Sequence, residues 1–224
     1  MNTEEFAEEN HVQETEARFE LENSKLLDVE VEGEMYAKAG SMVAYTGDVS
    51  FEGIFSAEGG LKGAIKELTT TESAPMMKMT GTGHAYLADH EKKVQILELG
   101  EDESLTVNGE DVLAFEETVD YTISTMSGLS GMAAGGFINI YLTGPGYIAI
   151  TSHGDPLVLS PPVKTDPQAT VAWSANLSPS VHRNSGLSDL IGSSSGEMYQ
   201  LEFEGEEGFV VVQPFEETPT TGTN

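Results

Sequence analysis

The chain has 224 residues, with 38 Asp and Glu against 10 Lys and Arg, a formal net charge of −28 and no cysteine. That balance argues against nucleic acid and anionic lipid as partners, since both are bound through Lys and Arg contacts to phosphate. The missing thiol excludes disulfides, cysteine nucleophiles and thiolate metal sites. Acidic, lysine-poor surfaces suit concentrated salt, where the Debye length falls to about 3 Å at 1 M and self-repulsion is screened, so the composition predicts a halophilic host.

Residues 1–15 are polar and acidic without a sustained period, which predicts a disordered arm. Their start, MNTEEFAEENH, has no basic stretch followed by an apolar one. No apolar run reaches the roughly 20 residues of a membrane helix. Together these predict a soluble, cytoplasmic protein without direct insertion in a membrane. Residues 16–214 are predicted as a single β-rich domain, and 215–224 as a disordered, Thr-rich tail.

Within the domain, Arg18–Leu21 and Leu27–Val31 predict a hairpin around Glu22-Asn23-Ser24, with Leu27, Val29 and Val31 on one face. Gly33 is expected to turn the chain into Met35-Tyr36-Ala37, followed by an extended segment from Gly40 to Tyr45. Residues 58–69 predict one short helix, because Leu61, Ala64, Ile65 and Leu68 form an apolar stripe. Val94–Leu99, Leu105–Val107 and Val112–Phe115 read as strands, with Asn108-Gly109 as a hairpin turn. Leu157–Leu159 and Ala169–Trp173 follow as strands, then a helical turn at Leu187–Ile191.

Three stretches share a design. Met76–Ala88, Phe137–Ile150 and Met198–Val212 each place an apolar strand on either side of a glycine-rich turn, and each predicts a β-hairpin. Their turn glycines Gly81, Gly144 and Gly205 lie 63 and 61 residues apart. A second element recurs at YAKAGSM (36–42), LAFEETV (113–119) and VAWSANL (172–178), with alanines 77 and 58 residues apart. The periodicity predicts two or three similar antiparallel β modules around a shared core.

No catalytic constellation emerges. His11, His84, His90, His153 and His182 have no metal-ligand spacing. The glycine turns lead into strands instead of helix N-termini, so no amide cradle faces a phosphate. The pairs Glu101-Asp102-Glu103, Glu110-Asp111, Glu116-Glu117 and Glu206-Glu207 are expected in turns and on exposed faces, solvated and ionised. The sequence therefore assigns no catalytic, cofactor-binding or metal-ligating residue and no cofactor.

In order and spacing, Gly40-Ser41-Met42, GTGHAYL (81–87), LGEDESLTVNGEDVLAFE (99–116), GMAAGGFINIYLTGPGYIAI (131–150), VAWSANL (172–178) and SGEMYQLEFEGEEGFVVVQ (195–213) resemble the altered-inheritance-of-mitochondria family of AIM type. The resemblance spans residues 18–214. It implies a TRAP-like double β-sandwich, a homo-oligomer of three or more copies and no established enzymatic activity. With the acidic composition, the chain looks like a halophilic archaeal member. The leading expectation is a non-enzymatic homo-oligomeric scaffold or assembly protein with itself, and a further protein, as partners. The alternative is a small-ligand-binding β module with a pocket between modules, near Trp173 and Tyr147. RNA binding is disfavoured by the ten basic residues.

Overall fold

The computed structural model describes residues 1–12, 17–53, 76–126, 138–183 and 199–217. The predicted helix at 58–69, the helical turn at 187–191 and the beginning of the 131–151 stretch lie outside these residues. The fold is mainly β and of the sandwich class, as expected. The first strands are β1 (Phe19–Asn23), β2 (Leu26–Lys38), β3 (Met42–Gly53) and β4 (Met76–Leu87). Next come β5 (Lys93–Leu99), β6 (Ser104–Asn108), β7 (Val112–Glu116), β8 (Asp120–Thr125), β9 (Ile138–Thr143) and β10 (Gly146–Ser152). The last are β11 (Leu157–Leu159), β12 (Val163–Thr165), β13 (Thr170–Ser174), β14 (Ser180–Arg183), β15 (Tyr199–Phe203) and β16 (Val210–Val212).

The strands form three sheets. The first runs β3-β4-β2-β7-β10-β5 with β1 beside β2, the second β11-β16-β13-β6-β9-β8, and the third β12-β15-β14. Apolar side chains fill the space between them. Phe115 and Ile148 of the first sheet pack with Val107, Ile140 and Leu142 of the second. Trp173 and Val210 of the second pack with Leu201 and Phe203 of the third. A further core gathers Leu27, Val29, Val31, Met35 and Ala37 from one face of β2 with Met79, Ala85 and Leu87 of β4. Strand β10 is buried from Ile148 to Ser152, which accounts for its lack of charge.

The β1–β2 hairpin lies where the sequence places it, with Phe19 opposite Val29. The three glycine-centred hairpins do not form. Met76–Leu87 is one uninterrupted strand. Its glycines meet other glycines across the ladder, Gly81 opposite Gly33 and Gly83 opposite Gly47. A Cβ on Gly81 would sit 1.9 Å from the Asp48 carbonyl oxygen, so close backbone approach and a φ of +131° require glycine there. In the second case β9 pairs with β6 and β8, whereas β10 pairs with β5 and β7, so Thr143–Gly146 carries the chain from one sheet to another. The third case repeats this: β15 lies in the third sheet and β16 in the second.

Asn108-Gly109 is likewise a corner between sheets. The Gly109 N–H donates to the Ile138 carbonyl at 2.8 Å, and Asn108 Nδ2 to the Thr170 carbonyl at 3.4 Å. Gly33 does not turn the chain either, since β2 continues through it to Lys38. A strand break read from sequence marks where a strand ends; which sheet receives the next one depends on distant partners.

The repeat is real in its pairing scheme, in a register other than the one the sequence suggested. In the second module β10 pairs with β5 and β7, and β9 with β6 and β8. In the third, β16 pairs with β11 and β13, and β15 with β12 and β14. The first module draws the same set into the three long strands β2, β3 and β4. Met42-Val43-Ala44-Tyr45, Val112-Leu113-Ala114-Phe115 and Thr170-Val171-Ala172-Trp173 are equivalent. In each, the ladder register shifts at the second residue, the position of a bulge.

Two end segments make contacts of their own. Thr3–Glu9 forms helix α1, capped by Asn2, whose side chain accepts from the Glu4 and Glu5 amides while Glu5 reaches back to the Asn2 N–H. This capping box and the acidic first turn supply the local stability that the missing apolar period could not. At the other end the chain stays in contact past Pro214, where Phe215 lies 4.3 Å from the His153 ring.

Candidate functional site

The densest polar feature is a buried charge cluster where the first and second modules meet. Lys38 ends β2, Asp89 and Lys92 occupy the β4–β5 turn, and Asp111 sits in the corner before β7. All four are buried, Asp111 completely. Lys38 Nζ lies 3.0 Å from Asp89 Oδ2, and Lys92 Nζ lies 2.8 Å from Asp111 Oδ1 and 3.8 Å from Asp89 Oδ2. Both ammonium groups also donate to the Glu110 carbonyl, at 2.8 Å from Lys38 and 3.2 Å from Lys92. Thr151 of β10 donates its hydroxyl to Asp89 at 3.4 Å.

The C-terminal segment closes this cluster. Glu217 pairs with Lys92, and its N–H donates to the Gln168 carbonyl of the third module at 3.2 Å. Gln213 accepts from the His153 N–H at 2.8 Å, and His153 Nε2 stands 3.7 Å from Glu217. Five separated stretches of chain thus converge on two lysines.

Burial sets the protonation. Desolvation pushes the Asp111 carboxyl up to about 8, against the pull of Lys92. Its Oδ2 has no hydrogen-bond partner, while Oδ1 accepts from Lys92. Burial also works against the Lys92 charge, but Asp111 and Glu217 outweigh it and hold the ammonium above its ordinary range. For Asp89, burial is outweighed by Lys38, by the hydrogen bond from His90 and by Lys92, so its carboxyl stays below the usual value. Lys38 also lies 3.3 Å from Glu110 Oε2, so the two lysines face Asp89, Asp111, Glu217 and the half-exposed Glu110.

A catalytic acid or base must touch substrate. Here the reactive atoms of Lys92, Asp111 and Asp89 face one another, with side-chain exposures of 5%, 0% and 3%. The arrangement ties modules together. Among the described residues, no group of three or more His, Asp or Glu is placed to hold a metal ion.

The residues singled out from sequence are scattered. His84 Nδ1 lies 3.0 Å from Asp28, His90 Nδ1 2.7 Å from Asp89, and His182 stands beside Glu202 on the third sheet. Trp173 is buried against Phe203 with ring centroids 5.5 Å apart, whereas the partly exposed Tyr147 stacks on Phe19 at 6.2 Å. The two rings pack against different neighbours. The carboxylate pairs are not uniformly solvated: Asp111 and Glu116 are buried. Glu116 takes Arg18 at 2.9 Å and the Tyr147 N–H at 2.7 Å. A signal for the cluster was present in the lysines. In a chain with ten basic residues, one just after an apolar strand end (Lys38) and one in a short turn (Lys92) are candidates for specific pairing.

No helix among the described residues is long and apolar enough to cross a membrane. The crystal structure of protein SPYM3_0169 from Streptococcus pyogenes is similar, with 24% sequence identity and a TM-score of 0.68 over 88% of this chain and 92% of that one. At that identity the likeness concerns the fold. No curated protein sequence matches the chain. The profile of the mitochondrial biogenesis AIM24 family matches residues 19–215, nearly all of the strand-forming part, and the chain therefore belongs to that family.

Proposed function

We propose that the protein is a non-enzymatic scaffold that works as a homo-oligomer of three or more copies, with the TRAP-like form of the sandwich, in the concentrated salt of a halophilic archaeal cytoplasm. One observation carries the reading. Met42, Val43 and Tyr45, at the start of the edge strand β3, are 38%, 62% and 50% exposed. A solvent-facing apolar edge strand is a template for another chain, and soluble proteins normally blunt it with charge, proline or a cover. The stretch Met42–Thr46 carries neither charge nor proline. A net charge of −28 would keep copies apart in dilute buffer and is screened at molar salt.

Static light scattering in molar salt at micromolar concentration tests the proposal. The expected result is a mass of at least three times the 24.0 kDa chain, falling as salt is removed. A monomer at every salt concentration refutes it.

A further inference from the structure

The Lys92 side chain is 5% exposed, and its acidic partners come from two kinds of place. Asp89 and Asp111 belong to the sandwich itself, in the β4–β5 turn and the corner before β7. Glu217 does not. It lies beyond β16, on a segment that leaves the third module and reaches back to the second. A buried ammonium needs a paired carboxylate, and this one draws on the C-terminal segment for it.

The sandwich alone leaves Lys92 short of negative charge. Asp111 Oδ1 accepts from Lys92 at 2.8 Å, but burial pushes that carboxyl up to about 8, so at pH 7 it is mostly protonated. Asp89 lies farther off, at 3.8 Å, and is closer to Lys38, at 3.0 Å. Glu110 offers Lys92 its carbonyl at 3.2 Å and turns its carboxylate to Lys38 at 3.3 Å. The remaining carboxylate on Lys92 is that of Glu217. His153 Nε2 faces the same oxygen of Glu217, Oε1, at 3.7 Å. Burial and the Lys92 charge hold this imidazole below its ordinary value, which keeps it neutral at pH 7.

The segment that brings Glu217 has two parts of different character. Gln213 is buried and built in: its N–H donates to the Ala169 carbonyl at 2.9 Å, and its side chain accepts from the His153 N–H at 2.8 Å. Pro214, Phe215 and Glu216 are exposed. Pro214 has no N–H to donate, and the Phe215 ring lies on His153 at 4.3 Å. Glu217 is tied by its ion pair and by its N–H to the Gln168 carbonyl at 3.2 Å. Its carboxylate thus ends a short exposed bridge that starts from Gln213, in the manner of a tethered ligand.

We propose that Lys92 and His153 form a binding site for a small free carboxylate, and that Glu217 is its built-in occupant, competing from the C-terminal segment. The site selects a singly charged acid. Asp89 and Asp111 stand against Lys92, so a dianion such as sulfate meets more negative charge than one ammonium offsets. A free carboxylate in the place of Glu217 keeps Lys92 paired and releases the bridge from Pro214 to Glu217. The second and third modules then lose a tie, while the junction of the first and second is kept. The site lies within one chain and is independent of how many copies assemble.

The test melts full-length Glu217→Ala at fixed total potassium, with acetate replacing chloride stepwise. Salts also shift stability through exclusion from the protein surface, so the parent and Glu216→Ala, treated alike, supply the background. The Tm of Glu217→Ala should start below that of the parent. Above the acetate dissociation constant it should rise beyond the background by about 5–10 °C per hundredfold in acetate. Sulfate in place of acetate should move Glu217→Ala and the parent equally. In the double variant K92M/E217A, which has no ammonium at this position to satisfy, the acetate gain should vanish. Equal gains in Glu217→Ala and the parent, equal action of sulfate and acetate, or a gain that survives Lys92→Met would each overturn the site. If Glu217→Ala does not fold in chloride, folding on addition of acetate supports the site, and failure to fold in either salt overturns it.

Discussion

Lys92 is the point where the buried cluster can be broken most informatively. Replacing it by methionine keeps the stem and removes the ammonium that lies 2.8 Å from Asp111 and 3.8 Å from Asp89. Removing one partner of a buried pair typically costs about 3–5 kcal/mol, because the remaining charge has no solvent to return to. Against a total stability of about 5–15 kcal/mol this is a large loss. For a chain of this size it corresponds to a fall in Tm of about 6–20 °C. The Asp111 carboxyl can escape by holding its proton, so the loss should be smaller at pH 6 and grow toward pH 9 as that escape closes.

Urea unfolding followed by far-ultraviolet circular dichroism and by Trp173 fluorescence measures the effect. The first probe reports all three sheets and the second the core between the second and third. Because the pair is buried, the loss should persist in molar salt, where surface pairs are screened. The double variant K92M/D111N should recover part of it. A loss below about 1 kcal/mol at pH 8, or one that vanishes in salt, would show that the cluster is not the clasp described here.

Other expectations follow from single sites. Asp111→Asn should gain stability relative to the parent as pH rises. A carboxyl whose folded value is raised to about 8 favours the fold fully below its unfolded value and loses that contribution as pH climbs through 8; urea midpoints from pH 4 to 9 read this directly, and parallel curves would refute it. Phe115→Ala removes a fully buried ring stacked on Tyr36 and tilted against Tyr121, both at 5.2 Å, and should cost about 3–5 kcal/mol in denaturant titration. Gly81→Ala forces a Cβ to within 1.9 Å of a backbone oxygen at a φ of +131°, and should lower Tm by several degrees or prevent folding. Ile140→Asp places a charge in the core between the first two sheets and should abolish cooperative unfolding.

Local sequence carried the strand content, the β1–β2 hairpin, the charge-free centre of β10 and the existence of a repeat. Each of these depends on side-chain alternation or composition over a few residues, which is set by the chain's own covalent order. Pairing was a different matter. Gly81, Gly144 and Gly205 look alike in sequence, yet one lies inside a continuous strand and two carry the chain between sheets, because a glycine permits several backbone paths and the partners choose among them. The repeat register slipped for the same reason: Ala37 and Ala44 are both plausible matches to Ala114, and only the ladder, with its bulge at Val43, Leu113 and Val171, decides for Ala44. The clasp lay equally out of reach. Lys38, Lys92, Asp111 and Glu217 lie 54, 19 and 106 residues apart in turn, and a carboxyl next to Glu110 in a polar turn gives no local sign that the fold will bury it. Burial, which is a property of the assembled whole, decided which of its many acids matter.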